Sequence, residues 1–173
     1  MKLKIRIYGD ACLRKKSKPV KEVGPGERML IASMMETMHE YKGVGLAAPQ
    51  VGINEQIFVV DVGEGPFAVI NPKITRKSVG HEQLEEGCLS IPKVLVNVKR
   101  AKSIWVESLN EYNQTVQKQL TDLPARVFQH ESDHLNGKLI LDYAGVQEKI
   151  KLIKQCEEFK NSGKKDDHEA SAI

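Results

Sequence analysis

Residues 121–137 read TDLPARVFQHESDHLNG, and the rest of the chain is arranged around this stretch. Thr121 or Asp122 can cap a helix, Pro124 fits a first turn and Gly137 can close the end, so the signals predict a helix from about Leu123 to Asn136. Within it His130 and His134 stand four positions apart on one face, separated by about 6 Å along the axis, and can grip one metal ion. Glu131 is turned about 100° from His130. It therefore flanks such an ion instead of binding it, placed to take a proton from water.

Upstream, from Gln56 to about Glu107, the pattern changes to short β-branched runs, IFVVDV, FAVI, VLVNV and SIWVESL, punctuated by Gly63, Gly65, Pro72, Gly80 and Pro92. These predict strands, with Trp105 in the core. Between Pro25 and Tyr41 the residues Leu30, Ile31, Met34, Met35, Met38 and Tyr41 recur at helical spacing, and Gly43 is suited to ending that helix. A third helix is expected from Val146 to Asn161, with Val146, Ile150, Ile153 and Phe159 as its apolar stripe and Lys149, Lys151, Lys154 and Glu157 on the wet face. The opening MKLKIRIYGD reads as a strand or extended arm. Together these predict an α+β fold: small mixed or antiparallel β-sheets packed around a central metal-binding helix, with an N-terminal and a C-terminal helix.

At 173 residues and 40% hydrophobic content the chain can build one core. One catalytic domain over residues 1–160 is expected, followed by a disordered tail at 161–173. A net charge of +3, from 26 Lys+Arg against 23 Asp+Glu, is far from that of a dedicated DNA binder. No apolar run approaches the roughly 18 residues that span a bilayer, so no membrane association is expected. Three widely separated cysteines, Cys12, Cys88 and Cys156, make no disulfide framework, and a reducing cytoplasm fits best.

A catalytic metal site needs a third protein ligand. The long peptidase motif that adds Gly and a third His fails, since residue 137 is Gly but residue 140 is Ile140. A downstream carboxylate, Glu148, Glu157 or Glu158, could serve. So could Cys88, in EGCLS at 86–90, where Gly87 lets the backbone turn tightly and a thiolate suits zinc or ferrous iron. A third segment, GVGLAAPQ at 43–50, offers small residues along which a substrate backbone could pair as an added strand, and a Gln50 amide that could donate to a developing oxyanion.

Taken jointly, GVGLAAPQ at 43–50, EGCLS at 86–90 and QHESDH at 129–134 resemble, in order and spacing, the three signature motifs of the peptide deformylases. GDACLRKKSKPV near the start, VINPKI at 69–74 and HLNGKLILDY at 134–143 are similar to that family too. The resemblance implies Cys88, His130 and His134 as metal ligands and Glu131 as general acid/base. It also implies the Gln50 amide and the Leu89 main-chain N–H as oxyanion stabilisers, and the backbone around Val44 and Gly45 as the substrate cradle. The implied reaction removes the formyl group from the N-terminal formyl-methionine of newly made chains and releases formate. The implied cofactor is one divalent metal ion, Fe2+ in the cell, with Zn2+, Ni2+ or Co2+ able to occupy purified protein.

Around the motifs, Val127 shares the face of the two histidines and is expected to help line the methionine pocket, while Arg126 is expected to point elsewhere. Glu86 is expected to pair with Arg100 and brace the ligand loop. The basic C-terminal helix offers a contact to ribosomal RNA. A zinc endopeptidase and a non-catalytic metal-binding module remain as alternatives, and the three separate on Cys88: a peptidase using a downstream Glu would keep its metal without the thiolate.

Overall fold

The computed structural model describes residues 2–162. Its first helix, α1 (Pro25–Glu40), starts on Pro25, with the Glu27 carboxylate accepting from Gly24 N–H at 2.8 Å. Its Ile31, Met34 and Met38 are buried and Leu30, Met35 and Tyr41 packed beside them, as the spacing predicts. The left-handed residue after this helix is Lys42 (φ 54°), not Gly43. Gly43 instead sits where an added Cβ would press on the Leu89 side chain.

Among the described residues seven strands follow: β1 (Gly45–Ala47), β2 (Ile57–Val60), β3 (Phe67–Lys77), β4 (His81–Cys88), β5 (Ile91–Ala101), β6 (Ser103–Leu109) and β7 (Thr115–Thr121). All pairs are antiparallel, in a five-stranded sheet of order β1-β2-β3-β6-β7 and a separate β4-β5 hairpin. β1 is thus an edge strand. The hairpin turns on Leu89 and Ser90, between the paired Cys88 and Ile91, with an irregularity at Gly87 that breaks the register after Glu86. Along β6, Ile104, Val106 and Ser108 are buried while Trp105 between them faces outward under the Arg76 guanidinium, 3.5 Å from its ring centroid. Strict alternation, not bulk, decides the side, so Trp105 is not a core residue.

α2 (Asp122–Leu135) runs between the two sheets. Val127 and Phe128 pack on Phe58, Val60, Ala101 and Ile104, with Phe58 and Phe128 edge-to-face at 5.0 Å. Gly137 closes the helix at φ 70°, where a Cβ would overlap the Arg14 backbone. A short 3-10 turn (Ile140–Tyr143) leads to α3 (Val146–Asn161), which covers the hairpin's outer core. Its buried face is Cys156 flanked by Leu152 and Ile153, whereas Val146 and Ile150 stand exposed, so the expected stripe is rotated. The N-terminal arm is extended and pairs with loops instead of joining a sheet: Arg6 N–H donates to Gln50 O at 2.7 Å and Tyr8 N–H to Ser90 O at 2.8 Å. Of the tail expected to be disordered, Asn161 still belongs to α3, and 163–173 lie outside the described residues.

Candidate active site

Three chain segments meet over the middle of α2. Cys88 Sγ, at the end of β4, lies 3.2 Å from His134 Nε2. The donor atoms of Cys88, His130 and His134 all fall within 4.8 Å of one another, and all three residues are buried. For comparison, a sulfur and a nitrogen on one tetrahedral zinc ion stand about 3.5 Å apart, from bond lengths near 2.3 and 2.05 Å. The thiolate and imidazole set therefore fits a divalent cation in both spacing and donor type. Glu148, Glu157 and Glu158 are exposed on α3 and take no part in the group.

The electrostatics agree with that fit. Burial would lower the His130 pKa, yet the Cys88 sulfur and the Glu86 carboxylate on either side of the ring raise it to about 10. Burial and the neighbouring His130 drive His134 well below the ordinary range.

Glu131 is turned away from the donors. Its carboxylate is buried against Gly45, where any Cβ would overlap it, and its Oε2 has no hydrogen-bond partner among the described residues. Burial pushes its pKa up to about 7, the range in which a carboxylate both accepts and returns a proton. Gln50 is fixed from the other side. Its Oε1 accepts from Ala47 N–H at 2.8 Å, which leaves Nε2 facing the Ser90 hydroxyl at 3.2 Å and Cys88 Sγ at 3.5 Å. The cleft bounded by Gly43, Val44, Gly45, Gln50, Gly87, Cys88, Leu89, His130 and Glu131 has a volume of about 20 Å³, room for one water-sized group.

The structure therefore brings together Val44, Gly45, Gln50, Cys88, Leu89, His130 and Glu131, with His134 completing the donor set. Val127 is not part of this lining: three positions before His130 it is turned about 60° off that ring's direction and is fully buried among Ala47, Phe58 and Val60. Glu86 does pair with Arg100, through Nε at 2.9 Å and Nη2 at 2.8 Å, and it also accepts from His130 Nδ1 at 3.0 Å. Burial opposes its charge, but Arg100 and His130 hold its carboxyl at about 2. Sequence reasoning missed Arg126, which joins Glu86 at 2.7 Å. It also missed Asp133 and Tyr143, both of which meet Arg100, and the Ser90 hydroxyl on Gln50. The signal for Arg126 was its place one helical turn before His130, from which both can reach one carboxylate.

Against known proteins, the sequence profile of the family described as Polypeptide deformylase matches residues 2–150. The peptide deformylase of Thermotoga neapolitana is 46% identical over 161 residues, covering 93% of this chain and 98% of its own length. The crystal structure of peptide deformylase from Thermotoga maritima superposes with a TM-score of 0.82 at 49% identity, covering 84% of this chain and 99% of that one. That of Ehrlichia chaffeensis in complex with actinonin gives a TM-score of 0.88 at 35% identity, covering 94% of this chain and 98% of the other. With matches of this extent carrying the same fold, the chain belongs to the polypeptide deformylase family.

Proposed function

We propose that the cleft over α2 is where this family's reaction takes place in this chain, with Cys88, His130 and His134 holding one divalent metal ion. The reaction is removal of the formyl group from the formyl-methionine that begins a newly made polypeptide, with release of formate. The observation that carries the reading is the convergence of the three donors beside the buried Glu131 carboxylate, whose Oε2 has no hydrogen-bond partner among the described residues.

Cys88, His130 and His134 would hold a divalent cation, which when bound would supply Lewis acidity and lower the pKa of water. The other steps belong to the chain. Glu131, raised towards neutrality by burial, takes a proton from the attacking water and returns it to the departing amine nitrogen. The Gln50 Nε2, aimed by the Ala47 N–H that donates to Oε1 of the same amide, and the Leu89 main-chain N–H donate to the oxygen that gains charge. The free side of edge strand β1, with the backbone of Val44 and Gly45, accepts the substrate chain as an added strand.

Ferrous iron is the proposed cellular metal, since thiolate with two imidazoles suits it, and Zn2+, Ni2+ or Co2+ can replace it in purified protein. The proposed setting is the cytoplasm, as a single catalytic domain over residues 1–160. Among the described residues no helix is long and apolar enough to cross a membrane. On α3 the exposed Val146 and Ile150 beside the exposed Lys151 and Lys154 support a ribosome contact. K151E/K154E is then expected to reduce salt-sensitive co-sedimentation with ribosomes, and unchanged co-sedimentation would remove that contact.

Two variants test the central reading. E131Q is expected to retain its metal by elemental analysis while turnover falls by about 10²–10⁴-fold, the usual worth of positioned proton transfer. C88A is expected to lose the metal or hold it much more weakly. Retained metal in C88A would favour the peptidase alternative.

A further inference from the structure

The fully buried Glu86 carboxylate takes four donors, although its bidentate pair with Arg100 already balances its charge. Oε1 accepts from Arg100 Nε at 2.9 Å and Arg126 Nη1 at 2.7 Å, and Oε2 from Arg100 Nη2 at 2.8 Å and His130 Nδ1 at 3.0 Å. The buried Arg126 guanidinium also donates to Val98 O at 3.0 Å and to Glu82 O at 2.9 Å. One side chain on α2 thus holds both strands of the hairpin that carries Cys88.

We propose that Arg126 is a positioning residue for the metal site: by tying Glu86 to α2, it fixes the His130 ring and the spacing between Cys88 and the two histidines. A carboxylate gripped by Arg100 alone is anchored to its own hairpin, because Glu82–Arg100 and Glu86–Val96 pair within β4 and β5. Its tie to α2 then runs only through the His130 ring it is meant to fix and, indirectly, through the contact of Arg100 with Asp133. Arg126 and His130 are one helical turn apart on α2, so together they grip the carboxylate from the helix that also carries His134. Cys88 lies two residues beyond Glu86 on the same strand, so a slip of hairpin against helix moves the sulfur away from both imidazoles. Arg100 has a separate attachment to α2 through Asp133, at 2.6 Å, and that carboxylate also accepts from Tyr143. The Asp133 contact lies one turn further along, beyond His130, so the two arginines bracket the ligand.

This inference rests on the three-donor site proposed above. It is tested by Co2+ binding to the full chain, read from the thiolate-to-cobalt absorption band and by competition with a chelator, alongside thermal unfolding of the metal-free protein. R126M keeps the length and apolar stem of the side chain and removes every donor. It is expected to weaken Co2+ binding by about 10–100-fold, the usual cost of losing a residue that orients a ligand, and to change the cobalt spectrum. If Arg126 acts through Glu86, R126M is expected to cost little further affinity once E86Q is present. Where R126M does not fold, R126K, with one ammonium in place of the fork, is expected to weaken Co2+ binding in the same sense by a smaller factor. Unchanged affinity and spectrum in a folded Arg126 variant would overturn the proposal, as would a loss that adds in full to that of E86Q. A wild-type chain with no cobalt–thiolate band would overturn the metal-site reading itself, and this inference with it.

Discussion

At the scale of single residues, the position most constrained by the chemistry is Gly45. Its missing Cβ is the space the Glu131 carboxylate occupies, and the group that must yield to any side chain there is the end of a flexible side chain. G45A is therefore expected to fold and keep its metal but misplace the base, with turnover falling by about 10²-fold. Normal turnover in G45A would show that Glu131 does not work from this pocket. His130, Glu131 and His134 were legible as a set because helical spacing is local: a single turn of one helix fixes their relative directions. Cys88 was legible only as one of several candidates until the three motifs were taken together, since nothing local to a lone cysteine says what it faces. The orientation of Gln50 was not legible at all, because it depends on an Ala47 N–H turned back by the short helical turn at Ala48–Val51.

Among the elements, α2 ends as its sequence predicts but does not start so: Thr121 makes no side-chain cap hydrogen bond, and Asp122, the other expected cap, is the first helical residue at φ 53°. Gly137, at φ 70° with no room for a Cβ beside the Arg14 backbone, ends the helix as its sequence predicts. G137A is expected to destabilise the fold by at least about 2 kcal/mol, since an L-residue there is strained in the left-handed region and also collides with main chain. Thermal or denaturant unfolding measures it, and a cost below about 0.5 kcal/mol, the range of neutral surface changes, would contradict the account. Strands β4 and β7 escaped the pattern reading because HEQLEE and TVQKQ are mostly polar and exposed. They are strands through the partners they pair with, β5 and β6, which do show β-branched runs. On α3 the helix was legible but its buried face was not. Leu152, Ile153 and Cys156 turn inward because the Leu139–Leu141 core lies on that side, a fact of tertiary packing.

Across the whole molecule, the proposed metal site is kept in place by contacts between segments distant in sequence. The N-terminal arm joins the Gln50 and Ser90 carbonyls, and Asp142 joins the arm's end to the C-terminal helix through Arg14 and Lys149. Burial opposes the Asp142 charge, but Arg14, the Leu139 N–H and Lys149 hold its carboxyl well below the usual carboxylate range. A carboxyl with a lowered folded-state pKa adds stability that is present above the unfolded value near 4, and that is lost as pH falls through the folded value. D142N is accordingly expected to cost about 1–3 kcal/mol at pH 7, with the difference from wild type narrowing below about pH 4. An equal cost at pH 7 and pH 3 would show that the loss is packing alone. The central claim, that this cleft deformylates polypeptide starts with a metal held by Cys88, His130 and His134, is tested most directly by formate release. The measurement uses formyl-Met-Ala-Ser and anaerobically purified protein of known metal content, with acetyl-Met-Ala-Ser alongside. Formate from the formyl peptide, in proportion to bound metal and with the acetyl peptide intact, is the predicted result. Absence of formate from protein whose site is fully loaded would contradict it.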